Sequence, residues 1–349
     1  MGRYILGIES TAHTFGVAVV DMDGRILSNV KDSYTTESGG MIPLEVRKHH
    51  KEVADKLYEE ALGEAGISED EIEAVAFSNA PGLAPCLLEG MDFVKGVAGR
   101  LGIPVVCVNH CVAHLEIGSI CGATDPVMLY ASGANTQVIA YEAGKYRVFG
   151  ETLDLGVGNF IDSVGRFMGL GFPAGPKIEK LAREYVEKVK GENKPRTRTD
   201  SHGQEIPELI ELPYSIKGMD VVFSGLQTKI RNLIDKGVDN GWIAYSMQEV
   251  VFAMLVEATE RALAHTGKKE LLLGGGVACN SRLQQMCKIM CEERGCKLIV
   301  PTRDLLVDNA GMIGYLGLKM YKKGLGVRDL GLVDIAPRER TDDVLVLWR

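Results

Sequence analysis

One order of secondary structure runs through this chain twice, and that duplication restricts the fold more than any single motif does. Arg3 to Glu9, Thr14 to Asp21 and Arg25 to Lys31 alternate as strands, with Asp23-Gly24 supplying a hairpin turn between the second and third. Helix-period segments at Glu45 to Glu64 and Leu87 to Leu101 then flank a strand at Ala74 to Ser78. A fifth strand, Pro104 to Val108, leads into a helix over Asn109 to Ile120. From Val127 the order returns, with strands at Val127 to Ser132, Thr136 to Tyr141 and Tyr146 to Thr152 and a turn at Glu142 to Lys145. Strands at Glu270 to Gly274 and Lys297 to Val300 enclose a helix at Asn280 to Arg294, and a last helix is predicted from Asp308 to Lys322.

Three meandering strands followed by crossover helices, twice over, resemble the plan of the actin, sugar-kinase and heat-shock ATPase superfamily. The predicted fold class is therefore α/β, with two duplicated actin-like lobes and an interlobe cleft. Open α/β sheets bind ligands beyond the carboxyl ends of their strands, which points to the same cleft. The expected division is residues 1–126 for the first lobe, 127–325 for the second with a helical and loop insertion near 155–220, and a tail over 326–349. A chain of 349 residues, 46% hydrophobic, has ample apolar material for two cores. Its apolar runs stop well short of a membrane span and its start enters a strand pattern without a signal peptide, so a cytoplasmic protein with no membrane partner is expected. Eight scattered cysteines form no disulfide framework; Cys287 and Cys291 share a helical face, where packing competes with a zinc site that lacks a second pair. The net charge of −8 excludes broad nonspecific nucleic-acid binding, so any RNA contact must be local or shared with partners. One segment is locally basic: Lys190 to Pro207, with Lys190, Lys194, Arg196 and Arg198, reads as an exposed loop that is either a solvated excursion or a phosphate contact.

Chemistry concentrates in a few motifs. His110 and His114 stand at i, i+4, which places two imidazoles one helical turn apart on one face, as a single metal ion requires; two hydrogen-bonded structural histidines would look the same. A zinc peptidase needs Glu at position 111, and Cys111 stands there, so that reading lacks its general base. Asp308 follows a strand and opens a helix, as either a third ligand or a helix cap. Tyr130, at a strand end, offers a phenol oxygen or ordinary packing. The strip Gly274, Gly275, Gly276 between a strand and a helix allows close approach of a purine and ribose, although it is neither a P-loop nor GxGxxG. Tyr130, Ala131, Ser132, Gly133 and Ala134 lead into a hairpin whose amides and hydroxyl could meet a phosphate, or which is a plain β-turn.

Taken together, NHxxxH, YxSGxNT, GNxxDxxGR from Gly158 to Arg166, FPxGPxIE from Phe172 to Glu179, GGGVACN and DNAGMI resemble the universal threonylcarbamoyl transferases, in the archaeal and eukaryotic branch found in the KEOPS complex. The likeness covers nearly the whole chain, including GIESTAHTFGVAVVD at its start and TDDVLVLWR at its end. It departs from the family at Ala134, where a second glycine is usual, and at Ala80 before Pro81. The resemblance implies transfer of threonylcarbamoyl from threonylcarbamoyl-AMP to N6 of the adenosine beside the anticodon, in tRNAs reading codons that begin with A. It implies one metal ion, Fe or Zn, held by His110, His114, Tyr130 and Asp308. It also implies an adenine nucleotide (the AMP moiety of the donor, with ATP possible) near Ser132, Gly133, Ala134, Asp162, Gly175, Glu179 and Asn280. The implied partners are tRNA, a small atypical kinase and the other KEOPS subunits. No general base is assigned. The rival readings are an ATP-dependent phosphotransferase and a nucleotide-gated regulator of the same superfamily.

Overall fold

The computed structural model describes residues 3–37, 40–191, 197–199 and 205–349. Its framework is two five-stranded sheets. The first contains β1 (Tyr4–Glu9), β2 (Thr14–Asp21), β3 (Ile26–Ser33), β4 (Ile72–Ala80) and β5 (Val105–Asn109), in the order β3-β2-β1-β4-β5. The second contains β6 (Val127–Ala131), β7 (Thr136–Glu142), β8 (Lys145–Glu151), β13 (Glu270–Gly274) and β14 (Lys297–Ile299), in the order β14-β13-β6-β7-β8. Read from the meander outwards the two orders are the same. In each, three antiparallel strands are extended by two parallel ones. Among the described residues no helix is long and apolar enough to cross a membrane.

Helices cover both faces. α1 (Pro43–Ala65) and α2 (Ala84–Leu101) pack on the outer face of the first sheet, where Leu6, Ile8, Phe15 and Val17 meet Leu57, Tyr58 and Val94. Both helices start with proline in the first turn and stop at a left-handed glycine, Gly66 and Gly102. The outer face of the second sheet carries α4 (Val157–Phe167), α5 (Gly175–Gly191), α6 (Ser224–Asp235), α7 (Asn240–Thr266) and α8 (Ser281–Arg294) around one apolar cluster. The excursion before α6 holds two small hairpins, β9 (Thr197–Thr199) with β10 (Glu205–Pro207), and β11 (Ile216–Lys217) with β12 (Asp220–Val221). The basic segment is thus not wholly loop; Lys194 and Arg196 lie outside the described residues.

Two helices fill the space between the sheets. α3 (His110–Glu116) directly follows β5 and is wedged between the sheets, against β4 and β5 of the first and β6 and β13 of the second. It is shorter than the sequence suggests, because the chain tightens into a 3-10 turn at Ile117–Ser119. After the short α9 (Arg303–Leu306), α10 (Ala310–Lys322) follows β14 but packs across β1, β2 and β4 of the first sheet. Glycines permit this close approach: a methyl on Gly7 would lie 2.3 Å from the Ala310 carbonyl, and one on Gly317 would lie 2.2 Å from Ala76 Cβ. The cluster so formed joins Ile5, Val106 and Val108 to Met128, Leu272, Ile313 and Leu316. The tail then pairs Val327 with Val105 and returns to place Trp348 in this inner cluster.

Candidate functional site

Both inner helices open at the same seam, and each is capped by asparagine. Asn109 accepts a hydrogen bond from the Val112 amide at 3.2 Å, and Asn309 from the Met312 amide at 2.9 Å. Asn309 therefore takes the capping role that Asp308 could have filled, and the Asp308 carboxylate is left facing the seam. His110 and His114, on the first two turns of α3, face it.

The three side chains meet. One donor atom from each of His110, His114 and Asp308 lies within 4.8 Å of the others. Asp308 Oδ1 is 3.3 Å from His110 Nε2 and 3.4 Å from His114 Nε2, and the Tyr130 hydroxyl is 3.1 Å from His110 Nε2. His110 Nδ1 faces Glu9 Oε2 at 2.8 Å, and the Thr11 amide donates to Glu9 Oε1 at 2.8 Å. The Glu9 carboxylate accepts the Nδ1 proton and leaves Nε2 directed at the seam, the arrangement that orients a metal-ligating histidine. Glu9 had no assigned role in the sequence; its signal is a carboxylate at the end of an otherwise apolar strand.

Burial governs the electrostatics. It would lower the pKa of His110, but the Glu9 and Asp308 carboxylates outweigh it and hold the imidazole well above its ordinary range. His114, where burial prevails, is lowered. Burial would raise Asp308, but His110 outweighs it and the carboxyl falls well below its ordinary value. Burial raises the Tyr130 phenol. Two imidazoles share one carboxylate oxygen, and without a cation the His110 Nε2 lone pair would point at an anion. A proton on Nε2 resolves this, and so does a metal ion. Two nitrogens with carboxylate and phenol oxygens form a donor set that suits Zn or Fe, so the residues present fit a metal.

α3 is anchored at its far end by Glu116. Its buried carboxylate accepts from Tyr146, from Lys319 on α10, from Trp348 Nε1 at 3.0 Å and from Arg349 Nε at 3.1 Å. One side chain thus ties the helix bearing both histidines to the helix that follows Asp308 and to the tail.

The remaining residues divide. Ser132 hydrogen-bonds across its turn to the Asn135 carbonyl at 3.0 Å, and the Gly133 carbonyl accepts from the Asn159 amide at 2.9 Å, seating α4 against this loop. The close packing of Gly156 on the Ala134 carbonyl fixes that loop from below. Asp162, raised by burial, accepts from the Ala174 amide at 2.7 Å just before Gly175. Glu179 accepts from the Ser281 amide at 2.9 Å. Asn280 caps α8 through Oδ1 and donates to Gln248 at 2.6 Å, so both ends of its amide are engaged. The glycine strip is not uniform. At Gly275, φ is +92° and a methyl would meet the Ala131 carbonyl at 2.4 Å; at Gly274 it would meet Met128 Sδ at 3.1 Å; at Gly276 it would meet nothing within 4 Å. Packing therefore accounts for Gly275 and constrains Gly274, and only Gly276 leaves the open space that a ligand could use. Beside α4 lies a cavity of about 290 Å³ bordered by Gly40, Met41, Asn159, Asp162, Arg166 and Phe172.

Twin sheets with their helix openings turned towards a histidine and carboxylate cluster define an actin-like α/β fold with a cluster that could hold a metal ion. The fold is shared with the activator of the 2-hydroxyisocaproyl-CoA dehydratase from Clostridium difficile, at 10% identity and a TM-score of 0.53, covering 95% of this chain and 99% of that one. The family model for tRNA N6-adenosine threonylcarbamoyltransferase matches residues 25–315. The tRNA N6-adenosine threonylcarbamoyltransferase of Thermococcus kodakarensis is 47% identical over 346 residues, 98% of this chain and 99% of that protein. A probable bifunctional tRNA threonylcarbamoyladenosine biosynthesis protein of Methanosarcina mazei is 45% identical over 99% of this chain and 59% of its own length. The chain belongs to the tRNA N6-adenosine threonylcarbamoyltransferase family, and its activity is transfer of a threonylcarbamoyl group to N6 of adenosine in tRNA. That activity replaces the phosphotransferase and nucleotide-gated regulator readings.

Proposed function

We propose that the donor is threonylcarbamoyl-AMP and that the reaction takes place at the seam where α3 and α10 open. The observation that carries this reading is the convergence of His110, His114 and Asp308 there, beside the loop Ser132 to Ala134. The metal, iron or zinc, is held by His110, His114 and Asp308 with Tyr130 alongside, and when bound it supplies Lewis-acid polarisation of the donor. The AMP half lies along Gly276 with Asp162, Gly175, Glu179 and Asn280 around it; the backbone of Ala131, Ser132, Gly133 and Ala134 faces its phosphate. Because Glu179 and Asn280 are engaged with Ser281 and Gln248, nucleotide entry exchanges those contacts for ribose and base. N6 of the adenosine beside the anticodon attacks the carbamoyl carbon; the new C–N bond forms as the C–O bond to phosphate breaks, AMP leaves and N6 loses a proton. Positioning and charge stabilisation supply the acceleration.

The acceptors are tRNAs that read codons beginning with A, and the setting is the cytoplasm. An acidic chain neutralises few phosphates by itself, so the reading includes a KEOPS-type assembly with a small atypical kinase, whose subunits supply RNA-binding surface. The experiment is a transfer assay with labelled threonylcarbamoyl-AMP and unmodified tRNA, with and without those subunits. Label in tRNA with release of AMP is the expected result, faster in the assembly. Absence of transfer under both conditions removes the donor assignment, and equal rates remove partner dependence.

A further inference from the structure

The tail crosses from one half of the molecule to the other and grips α3 at both ends. On the first half, the Ala336 amide donates to the Asn79 carbonyl at 2.9 Å, and the Pro337 carbonyl accepts from the Gly82 amide at 3.2 Å. Glu339 Oε2 then accepts from Asn109 Nδ2 at 2.9 Å. The same asparagine caps α3 through Oδ1 and immediately precedes His110. On the second half, Arg340 pairs with Glu151 at 3.1 Å, and Thr341 Oγ1 donates to Gln137 Oε1 at 3.1 Å. Trp348 and Arg349 then bring the tail back to α3, where both donate to Glu116, two residues after His114. Arg349 is held there by Tyr141 as well, with its guanidinium carbon over the ring at 4.4 Å from the centroid. Both histidines therefore lie between two grips supplied by one segment. Cys111, Val112, Ala113 and Leu115 bury the helix, but apolar burial is non-directional and does not set a helix's rotation or its place along its axis. Hydrogen bonds at the ends do. That setting matters at a metal centre, where ligand distances tolerate only about 0.2 Å.

We propose that the tail is the positioning strap of the metal centre: Glu339, Trp348 and Arg349 fix α3 so that His110 and His114 converge with Asp308 on one ion. The three act through Asn109 and Glu116 and are positioning residues, not ligands. Glu116 also accepts from Lys319 on α10, the helix that starts two residues after Asp308, so the far grip sets both ligand-bearing helices against each other. The proposal rests on His110, His114 and Asp308 being the metal ligands.

The test uses the full chain carrying Trp348→Phe and Arg349→Met together, which keep a ring in the inner cluster and an apolar stem over Tyr141 while removing both donors to Glu116. Metal-free protein is titrated with Zn2+ and with Co2+, whose visible absorption bands report the geometry of the ligands, and urea midpoints of the metal-free chains are compared. Release of α3 predicts roughly 10-fold weaker Zn2+ binding, together with shifted cobalt bands. Glu339→Ala, at the other grip, is expected to act in the same direction, and Glu339→Gln, which keeps an acceptor for Asn109, to restore both readings. A lowered urea midpoint with the cobalt bands unchanged makes these contacts structural only and overturns the strap. Wild-type metal binding that the variants match in affinity and bands overturns the strap alone. Wild-type protein that binds no Zn2+, Co2+ or Fe2+ overturns the metal reading and the strap together.

Discussion

The two halves share a strand order yet bury different chemistry. Among the described residues, every fully buried carboxylate and imidazole, Glu9, His50, His110, His114 and Glu116, comes from before residue 127. The second sheet and its helices bury hydroxyls and amides, such as Ser246, Gln248 and Thr259, and meet the seam with glycines, the loop at Ser132 and the partly open carboxylates Asp162 and Asp308. Even the junctions that open α3 and α10 follow this division. The first delivers two enclosed histidines, with His110 braced by Glu9; the second delivers one carboxylate, whose backbone carbonyl accepts from Lys31 Nζ at 3.2 Å. Duplication supplied the same scaffold twice, and the halves then divided the work. One holds desolvated charge in fixed positions, and the other keeps open backbone where a substrate can lie.

The strongest attack on this division is to empty the first half's junction. In the His110→Ala, His114→Ala double variant, metal content by elemental analysis should fall to background and transfer should cease while the fold remains. Unchanged metal content would move the centre elsewhere. In the second half, Gly275→Ala combines left-handed backbone strain with a carbonyl clash, and should cost roughly 3 kcal/mol in urea unfolding. Gly276→Ala should leave stability alone and weaken adenylate binding. Equal stability losses at the two glycines would erase the distinction between packing and ligand space.

Acid should find the first half's buried imidazole. Burial lowers His50 from 6.5 to about 4, so between those values the unfolded chain binds the proton and the folded one does not. Its contribution is present above pH 6.5 and is lost as pH falls towards 4, amounting to about 3 kcal/mol. Urea midpoints near neutral pH and near pH 4 measure that slope, and His50→Gln should flatten it. An unaltered slope would remove His50 as its source. The smallest effect is expected from Glu9→Gln, which keeps a hydrogen-bond acceptor for His110 but removes the charge. Metal affinity should fall about 10- to 100-fold, the usual cost of a lost outer partner. A zinc or iron titration that shows no change would leave Glu9 with a structural role only.

Local pattern made half of this site readable. The i, i+4 histidines and the aspartate at a strand-to-helix junction could be singled out because helical spacing and turn position are properties of neighbouring residues. Glu9 could not, since its partner is 101 residues away and nothing in GIEST distinguishes a brace from a solvated strand end. Adjacent Asp308 and Asn309 are equally good caps by composition, and only the observed turn shows that Asn309 does the capping. The fold shows the same limit. Alternation gave both meanders to within a few residues, whereas apolar periodicity reveals that α3 and α10 bury a face without saying which sheet receives it. The three glycines looked alike because sequence records the missing side chain and not what surrounds it.

The packing of α10 on the first sheet has a consequence during synthesis. As a nascent chain leaves the ribosome, the first meander, β4 and β5 are available early, but beyond the part of β4 and β5 that α3 covers, the inner face of their sheet is completed only when Ile313, Leu316 and Leu318 emerge. Contacts of such long sequence separation form slowly. The first half must wait for the second, and the histidines meet their aspartate only after residue 308 has emerged. A chain that stops before α10 leaves the apolar residues that α10 covers exposed and lacks Asp308 beside the two histidines.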